Sequence, residues 1–328
     1  MSQVVAATAE RWPIAGEFTI SRGSKSAADV VVVSVEDRGL TGAGECLPYA
    51  RYGESTAATI EQIEALALPI TRDSLQALLP AGSARNAVDC ALWDVEAKRE
   101  GRPVWQLAGL CEPRGVTTAF TLGIDTVDAT RAKAEEHCQR RLLKVKLGGA
   151  DAVNDVARLR AVRAGAPDSE LIVDANEGWT FEFLTEIATA AADIGVALLE
   201  QPLPAGADDA LRHFHSPVPI GADESLHAES DLEALVLKYQ VVNIKLDKTG
   251  GLTHAIEVRR RALDLGFEIM IGCMVATSLS MAPALLLAPG ARFVDLDGPL
   301  LLAQDRQPGL VYDGSMVSFG ESVFWGDA

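Results

Sequence analysis

From about Val116 onward, short apolar runs alternate with amphipathic stretches. In chain order the runs are TTAFTLG, LLKVKLG, LIVDANE, VALLEQP, VPIGADE, VVNIKLD, EIMIGCM and RFVDLDG. Runs of this length, rich in β-branched residues, read as strands. The stretches between them, such as DAVNDVARLRAVRAGA and GLTHAIEVRRRALDLG, carry helical periodicity. Eight strand-then-helix units predict a parallel barrel, with an open doubly wound sheet as the alternative. Residues 1 to about 112 follow another rule. There the β-like runs VVVVSVED and LTGAGEC precede the helical runs ESTAATIEQIEALA and SARNAVDCALWDVEAKRE, the order of a small α+β domain. Gly39, Gly42 and Gly44 do not match a dinucleotide fingerprint and read as a strand turn.

Within LLKVKLG, strand alternation puts Lys144 and Lys146 on one face and Leu143, Val145 and Leu147 on the other. Such a pair of lysines could keep an edge strand soluble, or could aim two ammonium groups into the interior. The ends of the runs favour the second arrangement. Lys146, Asp174, Glu200, Asp223, Lys245, Gly272 and Asp295 follow one another at intervals of 28, 26, 23, 22, 27 and 23 residues, one strand-and-helix unit each. Polar groups therefore recur where parallel strands finish, the face on which barrel enzymes assemble their sites.

The chain has 328 residues, 48% hydrophobic, enough for one large core or two ordinary ones. A net charge of −17 argues against nucleic acid as a partner. Five cysteines, widely spaced and without a CxxC pair, suggest a reducing compartment. No basic residue precedes Arg11 and no apolar core follows, so no signal peptide is expected, and the protein is expected in the cytoplasm. Ile269 to Ala291 holds no charge and is long enough to span a bilayer, but its Gly, Ser, Thr and Pro residues predict a buried strand followed by a buried helix, not a membrane span. Self-association is left open by the sequence.

Asp174, Glu200 and Asp223 end three consecutive strands, so they can converge, and converging carboxylates need a cation. An all-oxygen set suits Mg²⁺ before zinc, one ion for one site. Asn176, two residues beyond Asp174, and Glu224, next to Asp223, are placed to orient these ligands or the lysines. His213 and His215 fall between a helix and a strand, away from the ring of strand ends. Lys144 and Lys146 on the second strand and Lys245 on the sixth stand opposite each other in an eight-strand ring. Two such bases could remove and return a proton on opposite sides of a planar enediolate that a bound cation stabilises. Asp295 and Asp297 share a face of the last strand.

LLKVKLG, LIVDANE, LLEQP, PIGADES and VVNIKLDKTGG resemble the strand-end motifs of the enolase superfamily, muconate-lactonising subgroup, and SARNAVDCALWD and PYARYGES extend the likeness over essentially the whole chain. The resemblance implies a (β/α)7β modified TIM barrel, residues 113–300, capped by an N-terminal α+β domain, residues 1–112, with a tail, 301–328, returning to the cap. It implies metal ligands Asp174, Glu200 and Asp223 and acid/base residues Lys146 and Lys245. Within the superfamily the sequence is most similar to the L-Ala-D/L-Glu dipeptide epimerases, chiefly through DLDG. That likeness implies a small dipeptide substrate whose ammonium meets Asp295 and Asp297, whose side-chain carboxylate meets Arg22 with Arg51 as helper, and whose main carboxylate is neutralised by Lys144. Expected activity is epimerisation at the Cα of the C-terminal residue. The alternatives are another reaction of the superfamily, such as lactonisation or o-succinylbenzoate formation, and a non-catalytic ligand-binding barrel.

Overall fold

The structure, a computed structural model, describes residues 3–148, 154–228, 231–320 and 325–327. Its N-terminal part is an antiparallel sheet of β1 (Val4–Ile20), β2 (Gly23–Asp37) and β3 (Leu40–Cys46), ordered β1-β2-β3, followed by helices Thr56–Glu64, Arg72–Leu78 and Ser83–Glu100. Val31, Val33, Val35 and Cys46 pack on Ile63, Leu75, Val88 and Leu92 from these helices. Gly42 and Gly44 explain how closely helix and sheet approach. A Cβ on Gly42 would stand 2.2 Å from the Ala91 carbonyl and one on Gly44 2.1 Å from that of Ala87, so only Gly39, with φ +84°, belongs to the turn. The sequence reading of all three glycines as a turn is corrected in that respect, because two of them are spacers inside β3.

The remainder forms a parallel barrel. After β4 (Val116–Thr117), its strands are β5 (Phe120–Leu122), β6 (Leu142–Lys146), β7 (Glu170–Asp174), β8 (Val196–Glu200), β9 (Ile220–Ala222), β10 (Val241–Ile244), β11 (Glu268–Gly272) and β12 (Phe293–Asp295), each paired with the next in chain order. The Ala119 N–H donates to the Val294 carbonyl at 2.8 Å, bringing the two ends of the sheet together. The first apolar run is split: Val116–Thr117 pairs instead with a tail hairpin, β13 (Val311–Asp313) and β14 (Met316–Ser318). DAVNDVARLRAVRAGA becomes helix Asp155–Gly165, with residues 151–153 outside the described residues, as is Gly149. The uncharged segment from Ile269 becomes the rest of β11 and helix Ser278–Leu285, and among the described residues no helix is long and apolar enough to cross a membrane.

Strand alternation sorts the barrel into layers. Ala119, Leu142, Ile172, Leu198, Val241, Met270 and Phe293 meet in one buried cluster inside the barrel. Two residues further along their strands stand Lys144, Asp174, Glu200, Asn243, Gly272 and Asp295, and two further again come Lys146, Asn176, Lys245 and Asp297. The inward face thus changes from apolar to polar toward the strand C-termini. The other face, including Leu143, Val145, Leu171, Val173, Leu199, Val242 and Ile271, is buried in the main core with the surrounding helices. Lys144 and Lys146 therefore belong to a fully buried strand, not to an edge.

Trp325 Nε1 donates to the Ala43 carbonyl at 2.9 Å, and the Gly326 N–H to Asp94 at 2.9 Å, so the described part of the tail touches the N-terminal sheet and its long helix.

Candidate active site

A cavity of about 460 Å³ opens between the barrel's strand C-termini and the N-terminal domain. Lys144, Lys146, Asn176, Asp223, Glu224, Lys245, Asp295 and Asp297 line it from the barrel, Arg22 and Arg51 from the other side. Asp174 and Glu200 lie behind this lining, 0% and 1% exposed. One carboxylate oxygen from each of Asp174, Glu200 and Asp223 falls within 4.8 Å of the others. All twelve residues singled out in the sequence thus meet at one site; His213 and His215 do not line it.

Ammonium groups are threaded through the acids. Lys144 Nζ stands 3.1 Å from Asp174, 2.8 Å from Glu200 and 2.8 Å from Asp295. Lys146 donates to Asp174 at 2.6 Å and Lys245 to Asp223 at 2.7 Å. Asn176 bridges Asp174 and Glu224 through its side-chain amide, at 3.3 Å each. Buried carboxylates resist ionisation, yet Lys146 and Lys144 hold Asp174 below the usual carboxylate range, and Lys245 and Lys248 hold Asp223 well below it. Glu200 fares differently. Burial and the charge of Asp174 push it up to about 7. Burial and then Asp295 likewise raise Asp297 to about 7, while its Oδ2 accepts the Thr121 N–H at 2.6 Å. Burial alone would lower Lys144 and Lys245, but surrounding carboxylates, led by Asp295 and Asp223 respectively, raise both.

The donor set is all oxygen, from three adjacent strands, with one Glu200 oxygen, Oε2, lacking any partner in hydrogen-bond geometry although Lys144 Nζ lies at ion-pair distance. A compact trio of this kind fits a hard divalent cation.

On the opposite wall, Arg22 sits in the turn between β1 and β2. Its guanidinium is 2.8 Å from Glu224 and 3.2 Å from Glu177, and donates to the Asn176 carbonyl at 3.0 Å. Arg51 makes a two-bond fork to Glu177, at 2.8 and 2.7 Å. Both arginines face the cavity already engaged.

Four participants escaped the sequence reading. Lys248 is fully buried and donates to Asp223; an i, i+3 lysine pair after β10 was the available signal. Gln201, at φ +37°, accepts the backbone N–H groups of Asp223 and Ser225 at 2.9 and 3.0 Å, fixing the turn that presents Asp223. Glu177 joins the two arginines. Lys25 lines the cavity beside Arg22.

Residues 125–307 match the enolase C-terminal domain-like family, and residues 2–109 match the N-terminal domain of the mandelate racemase / muconate lactonizing enzyme family. The chain belongs to this enolase-type family. It is 48% identical, over 92% of its length and 95% of the relative's, to the L-Ala-D/L-Glu epimerase of Escherichia coli (strain K12). It is 47% identical, over 91% and 96%, to the N-acetyl-D-glutamate racemase of Pseudoalteromonas sp. Among solved structures, an enolase family member from Agrobacterium tumefaciens with homology to dipeptide epimerases, containing bound sodium and L-Ala-L-Glu, superposes with a TM-score of 0.95 at 50% identity, covering 99% of this chain and 100% of that one.

Proposed function

We propose that this protein is an isomerase, a dipeptide epimerase that inverts the Cα of the C-terminal residue in an L-Ala-D/L-Glu type dipeptide by 1,1-proton transfer between two lysines. The observation that carries the reading is the opposition of Lys146 and Lys245. Their strands, β6 and β10, are four places apart in the eight-strand sheet, and both side chains line one cavity. A substrate held between them offers one face of its Cα to each amine, so one lysine takes the proton and the other delivers a new one. Asp174, Glu200 and Asp223 would hold one Mg²⁺ per site, which supplies positive charge to the substrate carboxylate as its α-proton leaves. Lys144 adds a cation beside the same carboxylate. Asp295 and Asp297, which both line the cavity, suit a substrate ammonium. Asn176 and Glu224 keep Asp174 and Arg22 in place, and Arg22 and Arg51 shape the wall that meets the substrate side chain.

The division into residues 1–112, 113–300 and the tail 301–328 is part of this proposal, as is a cytoplasmic setting; the free state of all five cysteines supports the latter. The likeness to an N-acetyl-D-glutamate racemase favours one second reading, proton exchange on an N-acylated amino acid, with the same lysines and no ammonium for Asp295 and Asp297 to meet.

Incubation of L-Ala-L-Glu, L-Ala-D-Glu and N-acetyl-glutamate with Mg²⁺ in D₂O tests both. The dipeptides are expected to gain deuterium at the glutamyl Cα and interconvert. Exchange confined to N-acetyl-glutamate would transfer the proposal to the second reading, and exchange in none would overturn it.

A further inference from the structure

Lys245 follows the last residue of β10, yet the turn that carries it is held from the other domain. The short helix Leu246–Thr249 begins directly after Lys245, whose carbonyl accepts the N–H groups of Lys248 and Thr249 at 3.0 Å each. Across this turn lies the long helix Ser83–Glu100 of the N-terminal part. Arg85, Asn86, Asp89 and Trp93 share one of its faces, and all four bond to residues between Asp247 and Thr253. Arg85 donates to the carbonyls of Thr249 and Gly250 at 2.7 and 3.1 Å. Asp89 accepts from the Thr253 N–H and hydroxyl at 2.9 and 2.6 Å, and Trp93 Nε1 donates to the same hydroxyl at 2.9 Å. Gly251, at φ +107°, permits the approach, since a Cβ there would stand 2.5 Å from Asp89.

The contact nearest the proposed base is a different one. Asp247 Oδ1 accepts the Asn86 side-chain amide at 2.9 Å and the Leu47 N–H at 3.1 Å. Among the described residues these are the donors to its carboxylate, and both come from the N-terminal domain. Asn86 and Asp247 are buried, and Leu47 lines the cavity. Burial pushes Asp247 up to about 7 in spite of the two donors, so a neutral acceptor would suit the place as well as an anion. Arg85, Asp89 and Trp93 dock the helix at Thr249 to Thr253 without this pair. What the pair adds is a hold on the turn two residues from Lys245.

We infer that Asn86 and Asp247 are positioning residues for Lys245, so that the N-terminal domain sets where the second base of the barrel meets the substrate Cα. The inference rests on the epimerase reading above and deepens it. Lys146, four strands away on β6, receives no bond from either residue. Loss of the pair therefore acts on one face of the substrate, whereas a general loosening of the fold would act on both.

Initial rates of α-proton exchange of L-Ala-L-Glu and L-Ala-D-Glu in D₂O with Mg²⁺, followed by proton NMR, test the inference. The epimer that Lys245 serves is the one that Lys146→Ala still exchanges. Asn86→Leu should slow exchange of that epimer by roughly 10–100-fold, the scale for a small misplacement of a reacting group, while the other epimer keeps its rate to within about twofold. Epimerisation should fall in both directions, because it needs both bases. Asp247→Asn keeps an oxygen acceptor for both donors and should retain most of the activity, whereas Asp247→Leu should repeat the one-sided loss. Should Asn86→Leu fail to fold, Asn86→Ser, too short to reach Asp247, gives the same reading. Equal slowing of both epimers, no slowing, or slowing on the Lys146 side in the folded variants would overturn the positioning role and leave the epimerase reading in place. Exchange of neither epimer by the unsubstituted protein would overturn both.

Discussion

Lys248 grips Asp223 on the side away from the cavity. Its Nζ donates to Asp223 Oδ1 at 2.6 Å, to the Asp223 carbonyl at 2.5 Å and to the Asn243 carbonyl at 3.0 Å, whereas Lys245 approaches Oδ2 from within the cavity at 2.7 Å. The two lysines therefore have separable tasks. Lys245 must release Asp223 to reach a substrate; Lys248 can stay. Lys248→Met is expected to cost about 3–5 kcal/mol of stability, the usual consequence of breaking a buried ion pair. It should also weaken Mg²⁺ binding by roughly 10–100-fold, since a residue that orients a ligand has been lost. Urea unfolding and Mg²⁺ titration of the variant measure the two effects, and unchanged Mg²⁺ affinity in a folded variant would deny Lys248 any part in presenting Asp223.

Metal removal gives the next expectation. Excess EDTA should abolish epimerisation and added Mg²⁺ should restore it, because the acids that would hold the ion are otherwise occupied by lysines, including the proposed base Lys245. Asp223→Asn should behave like partial chelation, with weaker Mg²⁺ binding in titration. Full activity in EDTA, with no metal found by elemental analysis, would sink the assignment of Asp174, Glu200 and Asp223.

How much of this was legible in the chain depends on how each residue gets its neighbours. Lys146, Asp174, Glu200 and Lys245 could be found because strand spacing alone carries them to one rim. The helix Ser83–Glu100 coincides with the run read from sequence, its apolar spacing and the following Gly101 marking its extent. By contrast β1 went unread. It is the outer strand of a small sheet, and its half-exposed pattern breaks the apolar run that marks a strand. The ends of Gln201 and Glu177 depend on loop paths and on φ angles of +37° and +66° that periodicity does not encode, so polar residues just past β8 and β7 gave no sign of what they would meet.

Asp297 sets a pH dependence. Burial and Asp295 raise its folded pKa to about 7, against roughly 3.9 in an unfolded chain. Between those values the native state binds more protons, so its contribution to stability is full below about pH 4 and is lost as pH rises through about 7. Function should run the other way. A free-amine dipeptide needs the ionised acid, so its kcat/KM is expected to rise as pH passes about 7, with no such limb for N-acetyl-glutamate. Asp297→Asn should remove the limb and cost the free-amine substrate roughly tenfold or more. A pH profile in which the limb survives the substitution would separate it from Asp297.

The two-base arrangement makes the most specific claim. If Lys146 and Lys245 face opposite sides of the same Cα, each epimer presents its proton to one lysine only, and inversion needs both in turn. Replacing either by Ala should lower epimerisation by about 10²–10⁴-fold, the range for loss of a positioned acid or base. The surviving lysine can still take and return the proton on its own side. Each variant should therefore exchange the α-proton of one epimer with D₂O, and the two variants should favour opposite epimers. Proton NMR of L-Ala-L-Glu and L-Ala-D-Glu with both variants reads this directly. Exchange of both epimers by a single variant would rule out one lysine per face. Lys144 offers a control: fully buried and bound to three acids, it is expected to support exchange without selecting an epimer, so a one-sided pattern in Lys144→Ala, with both epimers still exchanging in Lys146→Ala, would move the base from Lys146 to Lys144.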